Sequence, residues 1–173
     1  MATLFIFSGL PGTGKTTLSQ QLATALKATY LRIDTVEQGL RDLCNYSVSS
    51  EGYRLAYRIA IDNLKLDINV VTDSCNSIEL SRKEWEKVAM DSGANFINVE
   101  IICSCETEHR QRIETRISNI SNLRLPTWPD VKNREYHPWS KERIVIDTAN
   151  KSIDDCFRDL ISKISKEEAF YHK

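Results

Sequence analysis

The first apolar stretch, Leu4-Phe5-Ile6-Phe7, is continuous rather than alternating, which predicts a strand buried on both faces. Leu18, Leu22, Ala25 and Leu26 then recur at helical spacing. Short apolar runs and helical periodicity keep alternating along the chain. The runs predict strands over Tyr30–Ile33, Ile68–Thr72, Phe96–Ile102 and Arg143–Ile146. The periodic segments predict helices over Thr35–Leu43, Glu51–Leu66, Ser81–Ser92, Glu106–Ser118 and Ser152–Ser165. Leu55, Ile59 and Leu64 give the Glu51–Leu66 helix its apolar face, and Ser81-x-x-Glu84 reads as a capping box opening the next. Strands that alternate with helices predict an α/β domain spanning residues 1–173, with a parallel sheet covered by helices on both faces. No internal repeat or low-complexity tract divides it.

Such sheets bind ligands at the carboxyl ends of their strands. The positions for chemistry are therefore 9–16, Asp34, Asp73, Ser104 onward and Asp147-Thr148. Three of the six glycines fall in the first of these. The segment reads Gly9-Leu10-Pro11-Gly12-Thr13-Gly14-Lys15-Thr16-Thr17 and fits G-x-x-x-x-G-K-[ST], the P-loop pattern. Glycines let the backbone curl so that several N–H groups face one anion, and the following helix adds its positive end. Lys15 is placed to reach the β- and γ-phosphates of a nucleotide, and the Thr16 hydroxyl to ligate Mg²⁺.

Two acids end strands. Asp73 follows Ile68–Thr72 as a Mg²⁺-holding aspartate would, although an aspartate opening an ordinary turn fits too. Ser74 stands where many motor ATPases carry a water-activating glutamate, which favours a transferase over an ATPase. Asp34 follows the second strand and is placed to take the proton of an attacking hydroxyl. Asp34-x-x-Glu37 also fits a capping box, so a helix-capping role stays open. Arg41 could hold an anionic part of the acceptor or face solvent.

Arg112 and Arg116 are four apart, on one face of the helix predicted over Glu106–Ser118. A phosphate between them would turn their repulsion into attraction, which suits a lid closing over a nucleotide. Pairing of Glu108 with Arg112 on a solvated face is the competing arrangement. Arg110 points elsewhere, toward stacking on an adenine or toward solvent. Between residues 123 and 139 lie Trp128, Arg134, Tyr136 and Trp139, which could wall an acceptor pocket or pack the loop onto the sheet. Asn150-Lys151 is followed by Ile153 where guanine-binding N-K-x-D carries an acid, so guanine specificity is not expected.

Composition narrows the partners. The 23 Lys+Arg against 24 Asp+Glu leave a net charge of -1, which argues against nucleic-acid binding by bulk charge but not against a local basic cleft. Hydrophobic residues make up 41%, enough for a sizeable core. Mean hydropathy is -0.37, and no apolar run approaches the ~20 residues of a membrane span. Leu4–Phe7 is too short for a signal-peptide core. Cys44, Cys75, Cys103, Cys105 and Cys156 contain no C-x-x-C pair, and reduced thiols of a cytoplasmic protein are expected.

With these residues in view, the chain resembles the small P-loop kinases, in particular an ATP-binding group labelled AAA-like. The resemblance rests on Gly9–Thr17, Asp34, Asp73-Ser74-Cys75-Asn76, Arg82 with Trp85, and Glu106-x-x-His109-Arg110-x-Arg112-x-x-x-Arg116. Leu125-Pro126-Thr127-Trp128, Arg134-x-Tyr136-x-Pro138-Trp139 and Ile146-Asp147-Thr148 extend it over essentially the whole chain. Gluconate kinases, adenylylsulfate kinases, chloramphenicol phosphotransferases and polynucleotide kinase domains are similar in build. The resemblance implies a three-layer P-loop fold of nucleoside-monophosphate-kinase type, strand order 2-3-1-4-5, with an arginine-bearing lid helix.

It also implies ATP and Mg²⁺ as cofactors and a hydroxyl of a small molecule as phosphate acceptor. Lys15, Asp34, Arg112 and Arg116 would be catalytic. Gly9, Leu10, Pro11, Gly12, Thr13, Gly14, Lys15, Thr16, Thr17 and Arg110 would bind the nucleotide, and Thr16 and Asp73 the metal. Asp34, Arg41, Asn76 and Arg134 would face the acceptor. A nucleic-acid 5′-end as acceptor, or a nucleotide switch with little turnover, remain alternatives. The expected state is a monomer or homodimer without a membrane partner. An AAA+ ring motor is not expected, because little chain follows the core and the acidic pair of its Walker B strand is missing.

Overall fold

The computed structural model describes residues 1–171. Its strands are β1 Thr3–Ser8, β2 Thr29–Arg32, β3 Val70–Asp73, β4 Asn95–Ile102 and β5 Ile144–Asp147. All pairs are parallel, in the order β2-β3-β1-β4-β5. The helices are α1 Lys15–Leu26, α2 Ile33–Cys44, α3 Glu51–Lys65, α4 Glu79–Asp91, α5 Glu106–Thr115, α6 Trp128–Lys132 and α7 Ile153–Tyr171. The sheet type and order are those expected.

The continuous apolar run of β1 has its reason in the layers. Phe5 and Phe7 pack with Leu18 and Leu22 of α1 and with Cys156, Leu160 and Ile164 of α7. Leu4 and Ile6 pack on the other face with Ala56, Ala60 and Leu64 of α3 and with Trp85, Val88 and Ala89 of α4. A central strand between two helical layers has no polar face to show. Chain order reverses at β1, which lies between β3 and β4, so the segment after Ser8 opens at the crevice where such sheets bind ligands.

Several local expectations are corrected. Ile33 starts α2 instead of ending β2. In α3 the buried face is Gly52, Ala56, Ala60 and Leu64, while Leu55 and Ile59 are exposed. Small residues let α3 approach closely: a Cβ on Gly52 would meet Glu37 Cγ at 2.3 Å. Helix α4 begins two residues before Ser81, whose hydroxyl donates to Ile78 O, so there is no Ser81–Glu84 capping box. Helix α5 stops at Thr115, whose hydroxyl bonds back to Gln111 O, and Arg116 is extended. Helix α6 was not anticipated, though Thr127-Trp128-Pro129-Asp130 carries its signature: Thr127 and Asp130 cap each other, with Pro in the first turn.

Candidate active site

The P-loop links β1 to α1. Gly9, Gly12 and Gly14 have φ of 137, 82 and 97°, conformations that side chains rarely adopt. At Gly9 the need is also steric, because a Cβ would lie 2.2 Å from the Ile101 carbonyl oxygen of β4. Lys15 opens α1 and is buried, its ammonium held to Leu10 O by a long 3.4 Å hydrogen bond.

Beside the loop lies a cleft of about 860 Å³. Gly12, Gly14, Lys15, Thr16 and Thr17 form one end of it, Asp73 and Ser74 its floor at the end of β3, and Asp34 and Arg41 of α2 another wall. Arg112, Arg116 and Arg134 line it as well. A second recess of about 230 Å³ shares Gly14 and Thr17 with the cleft and is walled by Leu18, Ile153 and Cys156.

Asp34 does not cap α2. The N-cap is Arg32, with no side-chain cap, and Asp34 accepts no hydrogen bond from the described residues. Glu37 pairs with Arg41 at 3.2 Å instead. The Asp34 carboxylate thus stands exposed in the cleft.

Asp73 is buried, and its Oδ2 accepts a 2.8 Å hydrogen bond from the Tyr30 hydroxyl. Burial, and then the charge of Asp73, raise the Tyr30 pKa well above its ordinary value, so this phenol stays a donor. Ser74 Oγ, next in the chain, is buried without a hydrogen-bond partner among the described residues. An orphaned hydroxyl beside a buried carboxylate, with the Thr16 hydroxyl in the same cleft, suits a hydrated hard cation such as Mg²⁺. Among the described residues no group of three or more His, Cys, Asp or Glu could hold a metal without outside ligands. Mg²⁺ sites commonly take the rest of their shell from phosphate and water.

The arginines of the α5 region are arranged differently from the sequence expectation. Arg112 and Arg116 do not share a helical face, since Arg116 lies past the end of α5. Both nevertheless line the cleft. Arg112 is held by Glu108 at 2.5 Å and by the Thr148 hydroxyl at 2.7 Å, so the Glu108 pairing and a place in the cleft coexist. Thr148 Oγ1 is 2.8 Å from Thr13 O, which ties Arg112 to the P-loop. Arg116 is half-buried with its Nε unpartnered, and burial lowers its pKa against the opposing charge of Asp34.

Gly9, Leu10 and Thr13 shape the loop without lining the cleft, and two candidates outside the loop are not brought to it either. Arg110 is exposed and paired with Glu114 at 2.7 Å. Asn76 is fully buried and donates to Phe7 O at 2.8 Å, fixing the turn after β3 to β1. The aromatic segment divides. Leu125, Pro126 and Arg134 line the cleft, whereas Tyr136 bonds Glu100 of β4 and Trp139 stacks on Arg82 of α4, packing the loop onto those elements. Asp147 accepts from Ser104 N and Ala149 N at 3.0 Å, holding two strand-end loops together.

Sequence reasoning did not single out Arg32, and it named Ser74 and His109 without giving either a place in the site. The first two stand at strand ends, where the carboxyl-end rule would have found them. His109 stands in the motif of the α5 region, but its spacing alone gave it no role. It is buried against the Trp128 ring, and its Nε2 is 2.7 Å from Pro11 O. Ile113, one turn on, packs where a Cβ on Gly12 would be, at 2.6 Å. Helix α5 therefore clamps the loop from outside. We expect His109→Phe, which keeps a ring but loses the hydrogen bond, to weaken nucleotide binding about five- to tenfold, read by calorimetry.

Residues 4–134 match the family model described as AAA domain. The chain belongs to this AAA domain family. Among solved structures, the Mycobacterium tuberculosis APS kinase CysC, in complex with AMPPNP and APS, superposes with a TM-score of 0.69 at 18% identity, covering 95% of this chain and 98% of that one. Chaetomium thermophilum Kti12, in complex with ADP-AlF3, gives 0.68 at 22% identity over 94% and 97% of the two chains. A gluconokinase from Sinorhizobium meliloti gives 0.67 at 12% identity over 99% and 97%. This AAA domain protein thus has the fold of P-loop kinases. None of its described helices is long and apolar enough to cross a membrane.

Proposed function

We propose that the protein is an ATP- and Mg²⁺-dependent phosphotransferase that moves the γ-phosphate of ATP to a hydroxyl of a small molecule. One observation carries the reading: the Asp34 carboxylate, free of protein hydrogen bonds among the described residues, shares a single cleft with Lys15, Thr16 and Asp73. A base without a nearby phosphate site, or the reverse, would not support it. Structures of the same fold hold AMPPNP or ADP-AlF3, which favours a nucleoside triphosphate as donor.

The roles follow from position. P-loop N–H groups and Lys15 hold the triphosphate tail. The Thr16 hydroxyl and Asp73 would hold Mg²⁺, which when bound draws negative charge off the phosphate oxygens. Asp34 orients the acceptor hydroxyl and takes its proton as the new oxygen–phosphorus bond forms. The bond from the γ-phosphorus to the β,γ-bridging oxygen breaks, and the electron pair leaves with ADP. Arg112 and Arg116 balance charge on the transferred group. The expected effect is mainly positioning and electrostatics rather than covalent chemistry.

The smaller recess, with Leu18, Ile153 and Cys156, suits the apolar faces of a nucleobase. Ile153 is 53% exposed there, a large apolar side chain waiting for cover. Ile153→Glu is expected to raise the KM for ATP about tenfold with kcat little changed.

The direct test measures ADP release against sugars, aminoglycosides, nucleosides and 5′-hydroxyl oligonucleotides. Release that rises with one small hydroxyl compound is the expected outcome. Binding of ATP with no acceptor-dependent release would mean a switch instead, and a response to oligonucleotides alone would mean an end kinase.

A further inference from the structure

We infer that the acceptor carries an oxyanion of its own, such as a phosphate ester, held in a subsite built by Arg116, Arg124 and Arg134. This rests on the phosphotransferase reading and names the acceptor class within it.

The basis is the charge of the cleft after its internal pairs are removed. Its lining contains seven cationic side chains and three acidic ones, in a protein of net charge -1. Arg41 is paired with Glu37, Arg112 with Glu108, and Arg32 lies 3.8 Å from Asp73. Among the described residues, Lys15, Arg116, Arg124 and Arg134 have no ion-pair partner within 4.0 Å, and Asp34 is the one lining acid left. Lys15 belongs to the P-loop. Three arginines therefore remain without a partner in the cleft that Asp34 also lines.

Segment 116–126 is tied across to β2 and α2 by Arg32 to Asn119 at 2.7 Å and Asn122 to Asp42 at 3.3 Å. Arg116 keeps a buried Nε with no hydrogen-bond partner; the charge of Asp34 favours its guanidinium, while Arg32 and Arg134 are near enough to oppose it. Clustered guanidinium groups repel one another and cost stability unless an anion joins them. Asp130, which feels both Arg124 and Arg134, has an oxygen committed to the Thr127 cap. A neutral sugar or nucleoside would leave the cluster uncompensated, whereas a phosphate or sulfate group would satisfy it.

The test titrates inorganic phosphate into protein saturated with Mg²⁺ and AMPPNP, which fills the P-loop first. Wild type is compared with Arg124→Ala/Arg134→Ala, both exposed positions, and with the remote Arg158→Ala as a charge control. The expected result is saturable phosphate binding, weakened at least about tenfold in the double variant and unchanged in the control. AMPPNP binding without phosphate binding, or equal phosphate binding by all three proteins, overturns the inference alone. Failure of AMPPNP to bind overturns the phosphotransferase reading and the inference with it. A 5′-hydroxyl oligonucleotide that binds more tightly than phosphate, with affinity growing with length and falling steeply with salt, assigns the arginines to nucleic acid and overturns it too.

Discussion

Replacing Asp34 with Asn is expected to reduce acceptor-dependent ADP release by about 10²- to 10⁴-fold, the range for loss of a general base. AMPPNP affinity should stay within about twofold. The two expectations belong together because Asn keeps the size and polarity of the side chain but cannot take a proton. Asp34 makes no bonded contact that holds the fold: it neither caps α2 nor pairs with an arginine at bonding distance, and its charge only favours the Arg116 guanidinium through space. A structural explanation for lost turnover is therefore weak, and the melting temperature should hardly move. Transfer at near wild-type rate in the variant would remove Asp34 from the mechanism.

Gly9→Ala should cost stability and nucleotide binding at once. The new Cβ would face Ile101 O at 2.2 Å, and the backbone at φ 137° is one that alanine rarely adopts. A carbonyl within a paired strand cannot swing aside as a side-chain tip can. We expect at least about 3 kcal/mol of destabilisation, a fall in melting temperature on the order of 6–12 °C for a domain of this size. Nucleotide binding should be lost, because the loop's N–H groups can no longer converge. Gly39→Ala is the useful contrast. Gly39 lies within α2 with nothing inside 4 Å of its added Cβ, so the same substitution should stabilise slightly, by about 0.5–1 kcal/mol. Thermal melts of the two variants with and without AMPPNP separate loop geometry from glycine loss in general.

The strands were legible because each is a short apolar run, and β1 shows why the signal was strong: both of its faces are packed. The P-loop was legible because its glycines answer to backbone geometry that few other residues can adopt. Helix faces were harder. In α3 Leu55 and Ile59 suggested the core face, but Ala56 and Ala60 occupy it, because close approach to the sheet favoured small side chains over large ones. The end of α5 was not visible either. Arg116 continues a helical spacing in the sequence, while Thr115 bonding back to Gln111 O and the extended backbone after it redirect the chain into the cleft. Asn76 shows the opposite limit. A polar residue after a strand looked like a ligand contact, yet it serves a buried carbonyl of β1. His109 was visible within a motif, but its role needed α5 lying against Pro11 and Gly12, a contact between residues 98 apart in the chain.

The central claim is that the segment Gly9–Thr17 wraps a triphosphate. Titration calorimetry of the full chain with AMPPNP in Mg²⁺ tests it most directly. The account predicts one site per chain, with heat that saturates at micromolar to sub-millimolar nucleotide. No binding heat at any temperature tried, over that concentration range, would contradict it.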